Sequence, residues 1–134
     1  TNTIAASAIN QDKIESDPVS VEVFSEHGGK NSTCYILNVG INQYKNPKMM
    51  LNYARPDAES FKKTMGQSKL LFKNIEVIDL YDANATKANI LKTLDDLSAK
   101  VQQEDVFIFY YAGHGSMVDN RFFFIPTESS RLYD

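Results

Sequence analysis

The sequence predicts an α/β fold in which a mainly parallel β-sheet has helices on both faces. Three segments are predicted as strands of that sheet: residues 34–40, 75–81 and 105–112. The two stretches between them have apolar residues that recur at helical spacing. This β-α-β-α-β order predicts parallel strands joined by right-handed crossovers.

The strands are predicted from residue type and periodicity. Residues 34–40 form an apolar run without helical period, which is typical of a strand buried on both faces. Residues 105–112 are dominated by β-branched and aromatic residues, which favour strands. Residues 121–125 are predicted as a later strand, and residues 19–23 alternate like a half-buried edge strand.

The two helices are predicted from apolar stripes and from residues that suit helix ends. The first stripe ends near Gly66, and Pro56 suits its first turn; its members are Ala54, Ala58, Phe61 and Met65. Thr86 is expected to cap a second helix of about 16 residues. The apolar residues on the buried side of that helix are predicted to be Ile90, Leu91, Leu94, Leu97 and Val101.

Composition excludes several classes of protein. The chain has 134 residues, 43% hydrophobic and 23% charged, which is ordinary globular usage and fits one domain or part of one. One cysteine excludes a disulfide scaffold and favours a reducing, cytoplasmic setting. A net charge of −3 disfavours nucleic-acid binding, and no apolar run reaches the ~20 residues that span a bilayer.

Two regions are predicted along the chain. Residues 1–33 are rich in Ser, Asn and Asp, and we expect a leader or linker with a possible edge strand and a loop at Gly28 and Gly29. Residues 34–134 contain the α/β pattern. The strand at 121–125 comes late, so we expect the fold to continue on a second segment.

Functional residues of such sheets gather beyond the carboxyl ends of the strands. Two loops leave that edge, residues 41–55 and residues 113–116. His114 lies between Gly113 and Gly115, which would let a substrate approach closely. His114 is therefore the leading candidate for a catalytic imidazole, and the alternative is a turn histidine that ends the strand.

The chain offers no convincing nucleophile for this histidine. Cys34 begins the first strand, so it lies roughly 20 Å from the end where His114 follows, and we expect a buried core residue. Ser116 is two positions from His114, a spacing at which side chains seldom face each other, and it lacks a nucleophile-elbow motif.

Metal and phosphate sites are also disfavoured. His27 and His114 are far apart in sequence, and neither a cysteine–histidine cluster nor a glycine-rich phosphate loop is present. Asp79 and Asp82 lie near a strand end, where aspartate is common, so a phosphoacceptor site is a weak hypothesis. We predict no cofactor and no metal.

Three motifs in the expected order resemble the caspase-like cysteine peptidases, in particular the metacaspase, paracaspase and bacterial branch. Residues 107–116 resemble the histidine motif, residues 35–44 the first strand and its loop, and residues 51–58 the start of the first helix. The similarity covers residues 34–126. It implies a caspase-like three-layer sandwich that cleaves protein or peptide substrates.

The resemblance implies a Cys–His dyad in which His114 is the histidine and the backbone N–H of Gly115 contributes to the oxyanion hole. The cysteine of this family follows the histidine by about 50 residues, which gives roughly residue 164, beyond Asp134. We therefore expect a partner, the C-terminal fragment of the same precursor. Self-cleavage in the polar stretch 127–130, or truncation, would separate the two; calcium activation is possible in the family, but no residue here indicates it.

The resemblance also implies a preference for Arg or Lys before the cleaved bond. Asp57 matches an acidic residue that lines the pocket, whereas Leu51 matches the arginine of aspartate-specific caspases. The alternative is that Asp57 only stabilises the helix start, and Arg55 is near enough to neutralise it. Glu128, two residues after Pro126, stands where the family usually has another acidic residue, as a conservative departure from its pattern.

Two other functions stay open. One is a catalytically inactive caspase-like module that binds a partner or has a regulatory role. The other is a doubly wound domain that binds a small molecule at the same strand edge.

Overall fold

The computed structural model describes residues 2–8, 11–13, 15–23, 32–67 and 72–131. The elements in chain order are β1 (Asn2–Ala6), β2 (Val19–Val23), β3 (Thr33–Gly40), α1 (Ala54–Gln67), β4 (Asn74–Tyr81), α2 (Lys87–Ser98), β5 (Val106–Ala112), β6 (Gly115–Val118) and β7 (Arg121–Phe124). Short 3-10 turns form at Pro47–Met49 and Asp82–Asn84. Within the described ranges, no helix has the length and apolar character needed to cross a membrane.

The central sheet has the order β4-β3-β5, and both pairings are parallel. Cys34 pairs with Ile75 and Val106 at one end of the sheet, and Gly40 pairs with Tyr81 and Ala112 at the other. The predicted parallel sheet is confirmed. β3 is buried along nearly its whole length because it has a neighbour on each edge and a helix on each face.

The two helices pack on opposite faces of the sheet, as predicted. On one face, Tyr35, Leu37 and Val39 join a core cluster with Leu97 of α2. On the other face, the amide of Asn38 donates a hydrogen bond of 3.0 Å to the carbonyl of Ala58 in α1. Successive residues of β3 alternate between these layers, which makes the three-layer α/β sandwich.

Both helices form where the sequence predicts them, but α2 is shorter. Thr86 caps α2, and its hydroxyl accepts from the N–H of Asn89 at 3.1 Å. The helix has 12 residues and ends at Ser98, where the prediction gave about 16. Leu91 is 49% exposed, so the prediction that it is buried is wrong; Val101 still packs against the core from outside the helix.

The predicted strand at residues 19–23 forms and pairs antiparallel with β1, which the sequence did not reveal. Its predicted half-burial is wrong, because all five residues of β2 are exposed. The loop predicted at Gly28 and Gly29 lies outside the described residues, as does His27.

The segment after β5 is a β-hairpin rather than a loop followed by a lone strand. β6 and β7 pair antiparallel, and Asp119 and Asn120 form the turn with φ of 48° and 59°. Two consecutive positive φ values at Asp and Asn are typical of a two-residue hairpin turn. Ile125 follows β7 and is buried, so the predicted strand end is one residue too late.

Gly40 should be required for the packing of α1 on β3. A Cβ atom added at Gly40 would lie 2.8 Å from Cβ of Ala58 and 3.0 Å from Cα of Arg55. We expect Gly40→Ala to lower the free energy of unfolding by about 1–3 kcal/mol, measured by chemical denaturation.

Gly66 provides the matched control, because a Cβ there meets nothing within 4 Å. Gly66→Ala should be neutral or stabilise the protein by up to ~1 kcal/mol. Equal losses in the two variants would contradict the close approach at Gly40.

Candidate active site

The two loops predicted to leave the same edge of the sheet meet around His114. β5 ends at Ala112, and its carbonyl accepts from the N–H of Ile41 at 3.0 Å, where the other loop begins. His114 follows two residues after the end of β5. The loop of residues 41–53 then passes beside it, which confirms the predicted convergence of the two loops.

The imidazole of His114 is held by a backbone carbonyl of that loop. Nε2 of His114 lies 2.9 Å from the carbonyl oxygen of Met49, which is itself buried. A carbonyl can only accept, so this contact assigns the hydrogen to Nε2. In the neutral imidazole, Nδ1 is then the nitrogen without a hydrogen, which is the one that a general base uses.

Tyr44 fixes His114 from the same loop. Its hydroxyl accepts from the backbone N–H of His114 at 2.8 Å, and the two rings lie 5.0 Å apart at 52°. Burial raises the pKa of Tyr44, against the lowering effect of its hydrogen bonds to His114 and Tyr111, so its hydroxyl stays protonated. Tyr44 lies within residues 35–44, one of the motifs that suggested the family. The contact with the Met49 carbonyl could not be predicted, because every residue has a backbone carbonyl.

Gly115 presents its N–H away from the hairpin. The N–H of Ile125 donates to the carbonyl of His114 at 3.0 Å, beside the pair of Gly115 with Phe124. In an antiparallel ladder this bond makes Gly115 and Phe124 a non-hydrogen-bonded pair. The N–H of Gly115 therefore points away from β7, on the loop that also bears the imidazole.

Asp82, directly after β4, anchors the loop of residues 41–53. Its Oδ1 accepts from the N–H groups of Asn42 and Gln43 at 2.8 and 3.0 Å, and its Oδ2 accepts from Arg55 at 3.0 Å. Burial opposes ionisation of Asp82, but these donors outweigh it and lower its pKa. The buried carboxylate is thus a structural anchor. Asp82 has a φ of 45°, in the left-handed region that aspartate adopts more readily than most residues.

Similarity to known proteins agrees with this geometry. The family model described as "Caspase domain" matches residues 33–132, about three quarters of the chain. The chain belongs to the caspase domain family. Membership indicates a cysteine peptidase, a hydrolase. No match was found among curated proteins or among solved structures.

Cys34 is remote from the histidine of this caspase domain. It is fully buried at the amino end of β3, whereas His114 follows the carboxyl end of β5. Burial raises the pKa of the Cys34 thiol, which disfavours the thiolate. The expectation that Cys34 is a core residue is confirmed.

Ser116 is also buried, in β6, and its hydroxyl has no hydrogen-bond partner among the described residues. A serine nucleophile would need its hydroxyl bonded to the base. The geometry gives Ser116 no such contact with His114, in agreement with its low ranking from sequence.

Asp57 lies in the first turn of α1 and is exposed. Gly40, at the carboxyl end of β3, closely approaches this end of the helix, so Asp57 is on the same edge of the sheet as His114. The expectation that Arg55 could neutralise it is wrong. Arg55 instead pairs with Glu59 at 2.9 Å and Asp82 at 3.0 Å, and Asp57 has no ion pair with a described residue.

Other acidic residues at this edge have structural partners. Asp79 bonds Lys62, Asn38 and Tyr81, and these bonds outweigh burial and lower its pKa. Glu128 accepts from the N–H of Lys87, at the start of α2, at 2.9 Å. Within the part of the chain that the structure describes, no group of three or more His, Cys, Asp and Glu side chains could hold a metal ion.

The stretch expected to be an exposed cleavage loop is partly anchored. Thr127 is buried, and its hydroxyl donates to the carbonyl of Gln43 at 2.7 Å. Its carbonyl accepts from the N–H of Lys45 at 2.8 Å. Among residues 127–130, only Glu128 and Ser130 are exposed, and Asp134 lies outside the described residues.

Stability at acidic pH should depend on Asp82. Its folded-state pKa is lower than the unfolded value of 3.8, so its contribution is present above that value and is lost as the pH falls through the folded-state pKa. We expect Asp82→Asn to destabilise the protein most at neutral pH, and the difference from the native protein to shrink below about pH 4. Denaturation midpoints across pH 2.5–7 measure this difference.

Asp95 provides the control, because it is an exposed residue of α2. Asp95→Asn should leave the pH profile unchanged. A pH-independent difference between Asp82→Asn and the native protein would contradict the ionic role of Asp82.

Proposed function

We propose that this chain supplies the catalytic histidine and part of the substrate pocket of a caspase-like cysteine endopeptidase. The observation that supports this most directly is the contact between Nε2 of His114 and the Met49 carbonyl. This contact fixes the tautomer of the neutral imidazole and leaves Nδ1 as the basic nitrogen at the carboxyl edge of the sheet.

The nucleophilic cysteine of the proposed enzyme lies on a C-terminal segment beyond residue 134. Cys34 cannot serve, since it is buried at the opposite end of the strands. β5 pairs only with β3 among the described strands, so its outer edge is open to another strand. The Phe124 ring of the following hairpin lies 5.2 and 4.7 Å from the Phe109 and Tyr111 rings of β5. Several apolar side chains of β5 and this hairpin are exposed: Val106, Phe107, Met117, Val118, Phe122, Phe123 and Phe124.

This edge is a natural place for the proposed segment. An unpaired strand edge presents free N–H and C=O groups, and exposed apolar clusters mark surfaces that are covered in the assembled protein. A strand added beside β5 would reach the same carboxyl edge as His114. A cysteine at its end would then lie close to the imidazole, as a dyad requires.

The proposed reaction begins when Nδ1 of His114 takes the thiol proton. The thiolate forms a bond to the peptide carbonyl carbon, and the carbonyl π electrons move to oxygen. The imidazolium then gives its proton to the leaving amine as the C–N bond breaks, leaving a thioester. Water attacks the thioester with His114 as base, and the thiol leaves with the returned proton.

Gly115 supplies the backbone donor for the oxyanion. Its N–H is not used by the hairpin, since Gly115 occupies a non-hydrogen-bonded position opposite Phe124. A fixed backbone donor at the developing negative charge contributes about 3 kcal/mol of transition-state stabilisation. A Cβ at Gly115 would meet the far end of the Phe122 ring, which is exposed and can move aside.

Asp57 is proposed to bind Arg or Lys of the substrate before the cleaved bond. Its carboxylate is exposed and has no ion pair with a described residue, while Arg55 is held by Glu59 and Asp82. The negative charge of Asp57 is thus available to a cationic side chain. Maturation by self-cleavage is part of the same proposal.

Removal of the histidine tests the proposed reaction. In the full-length precursor, His114→Ala should lower kcat/KM for Arg or Lys peptides by about 10²- to 10⁴-fold, the range for loss of a general acid–base. His27→Ala, at the other histidine of the chain, should leave the rate unchanged. Turnover retained in His114→Ala would remove His114 from the mechanism, and a native precursor that hydrolyses no peptide would support an inactive caspase-like module.

A charge test addresses specificity. Asp57→Asn should raise KM for an arginine substrate about tenfold or more, the value of one charge-assisted hydrogen bond, and leave a citrulline substrate of similar shape unaffected. Steady-state assays with the two peptides measure the ratio. A lower melting temperature with an unchanged ratio would instead assign Asp57 to the helix start.

A further inference from the structure

Two tyrosine hydroxyls bracket the backbone of His114. Tyr44 accepts from the N–H of His114 at 2.8 Å. Tyr111, on β5, has its hydroxyl 3.0 Å from the carbonyl oxygen of His114 and 2.7 Å from that of Ile125. Its single hydrogen can be shared between these two acceptors, and the N–H of Ile125 adds a third bond by donating to His114. The peptide groups on both sides of His114 are therefore held.

Holding the carbonyl of His114 also directs the N–H of Gly115. These two groups belong to one planar trans peptide, so they point in opposite directions. Because Tyr111 and Ile125 hold the carbonyl towards β7, the N–H of Gly115 is turned the other way. A rotation of this peptide would move the proposed oxyanion donor by the same angle.

The residue before the histidine has to be glycine for this arrangement to exist. A Cβ at Gly113 would lie 2.7 Å from the hydroxyl oxygen of Tyr44 and 2.8 Å from that of Tyr111. Both hydroxyls thus fill the space that a side chain would occupy. The sequence suggested that Gly113 leaves room for a substrate, but in the structure two tyrosine hydroxyls occupy that space.

Both hydroxyls are suited to remain neutral donors and acceptors. Tyr44 is buried and Tyr111 is partly buried. Burial raises the pKa of both, and the hydrogen bond between the two hydroxyls raises that of Tyr111 further. Neither phenol ionises in the pH range in which a thiol–imidazole pair works.

We propose that Tyr44 and Tyr111 are positioning residues that fix the peptide planes flanking His114. They thereby hold the imidazole in place for its proton transfers and direct the N–H of Gly115 at the oxygen of the reacting carbonyl. This proposal rests on the proposed peptidase function. Neither tyrosine has a place in the proton transfers. Their effect is on the geometry in which those transfers occur.

Hydroxyl removal in the full-length precursor tests the proposal. Tyr44→Phe and Tyr111→Phe should each lower kcat about tenfold or more with KM within about twofold, as small misplacements of reacting groups do. Affinity for a peptide aldehyde, whose adduct places an oxygen in the oxyanion position, should fall in parallel with kcat. A loss confined to KM, or no loss in either variant, would overturn the proposal.

Tyr110→Phe is the matched control on the same strand. The Tyr110 ring stacks on Phe61 at 4.2 Å, on the other face of the sheet, and its hydroxyl bonds no described residue. This variant should keep native kcat, KM and aldehyde affinity. A loss equal to that of Tyr111→Phe would mean that any hydroxyl removal on β5 disturbs the enzyme, and would overturn the proposal.

A spectroscopic measurement separates this proposal from the proposed function. In ¹⁵N-labelled protein, the amide resonances of His114 and Gly115 should shift in Tyr44→Phe and Tyr111→Phe but not in Tyr110→Phe. If the native precursor hydrolyses no peptide, the proposed function fails, and these resonances alone decide the positioning. Unchanged amide resonances in both variants would overturn the positioning proposal. If Tyr44→Phe does not fold, the result for Tyr111→Phe decides between these outcomes.

Discussion

The site depends on how the loop of residues 41–53 is attached to the sheet. This loop contributes the Met49 carbonyl and the Tyr44 hydroxyl, and both contact His114. The N–H groups of Asn42 and Gln43 would lose their hydrogen-bond acceptor if the Asp82 carboxylate were absent. Since a buried donor without a partner costs about 1–3 kcal/mol, the carboxylate favours one loop conformation over others. One side chain directly after β4 thereby holds the loop whose Met49 carbonyl contacts a histidine that follows β5.

Much of the fold could be predicted, because burial leaves a strong trace in sequence. β3 is covered on both faces, so most of its residues are apolar. α1 is covered on one face, so its apolar residues recur at helical spacing. The hairpin of β6 and β7 was missed because its turn, Asp119 and Asn120, is a less common pair than Asn-Gly or Asp-Gly. Most residues of the hairpin are also exposed, so its strands lack the alternation of apolar and polar residues that is typical of a half-buried strand.

The edge of the sheet where the candidate site lies was predictable, but the contacts there were not. Parallel strands end at one edge, so His114 and the loop after β3 had to converge there. His114 is held by the backbone carbonyl of Met49 and by the hydroxyls of Tyr44 and Tyr111. Every residue has a carbonyl, so residue type does not reveal the contact with Met49. Arg55 shows the same limit of sequence analysis. Its neighbour Asp57 was the expected partner, but in the structure Arg55 pairs with Glu59 and with Asp82, which follows β4. Long-range polar pairing depends on register and loop path, which periodicity does not encode.

These contacts have a consequence for how the proposed enzyme is assembled. The histidine tautomer, the loop and the peptide of Gly115 are all held by bonds within residues 41–125. None of them needs the cysteine segment in order to form. Fixed dipoles that do not reorganise during the reaction stabilise a transition state best. A segment that docks along β5 would therefore meet a base and an oxyanion donor that are already in position. The conformational entropy lost on assembly would then come mainly from the cysteine and its own loop.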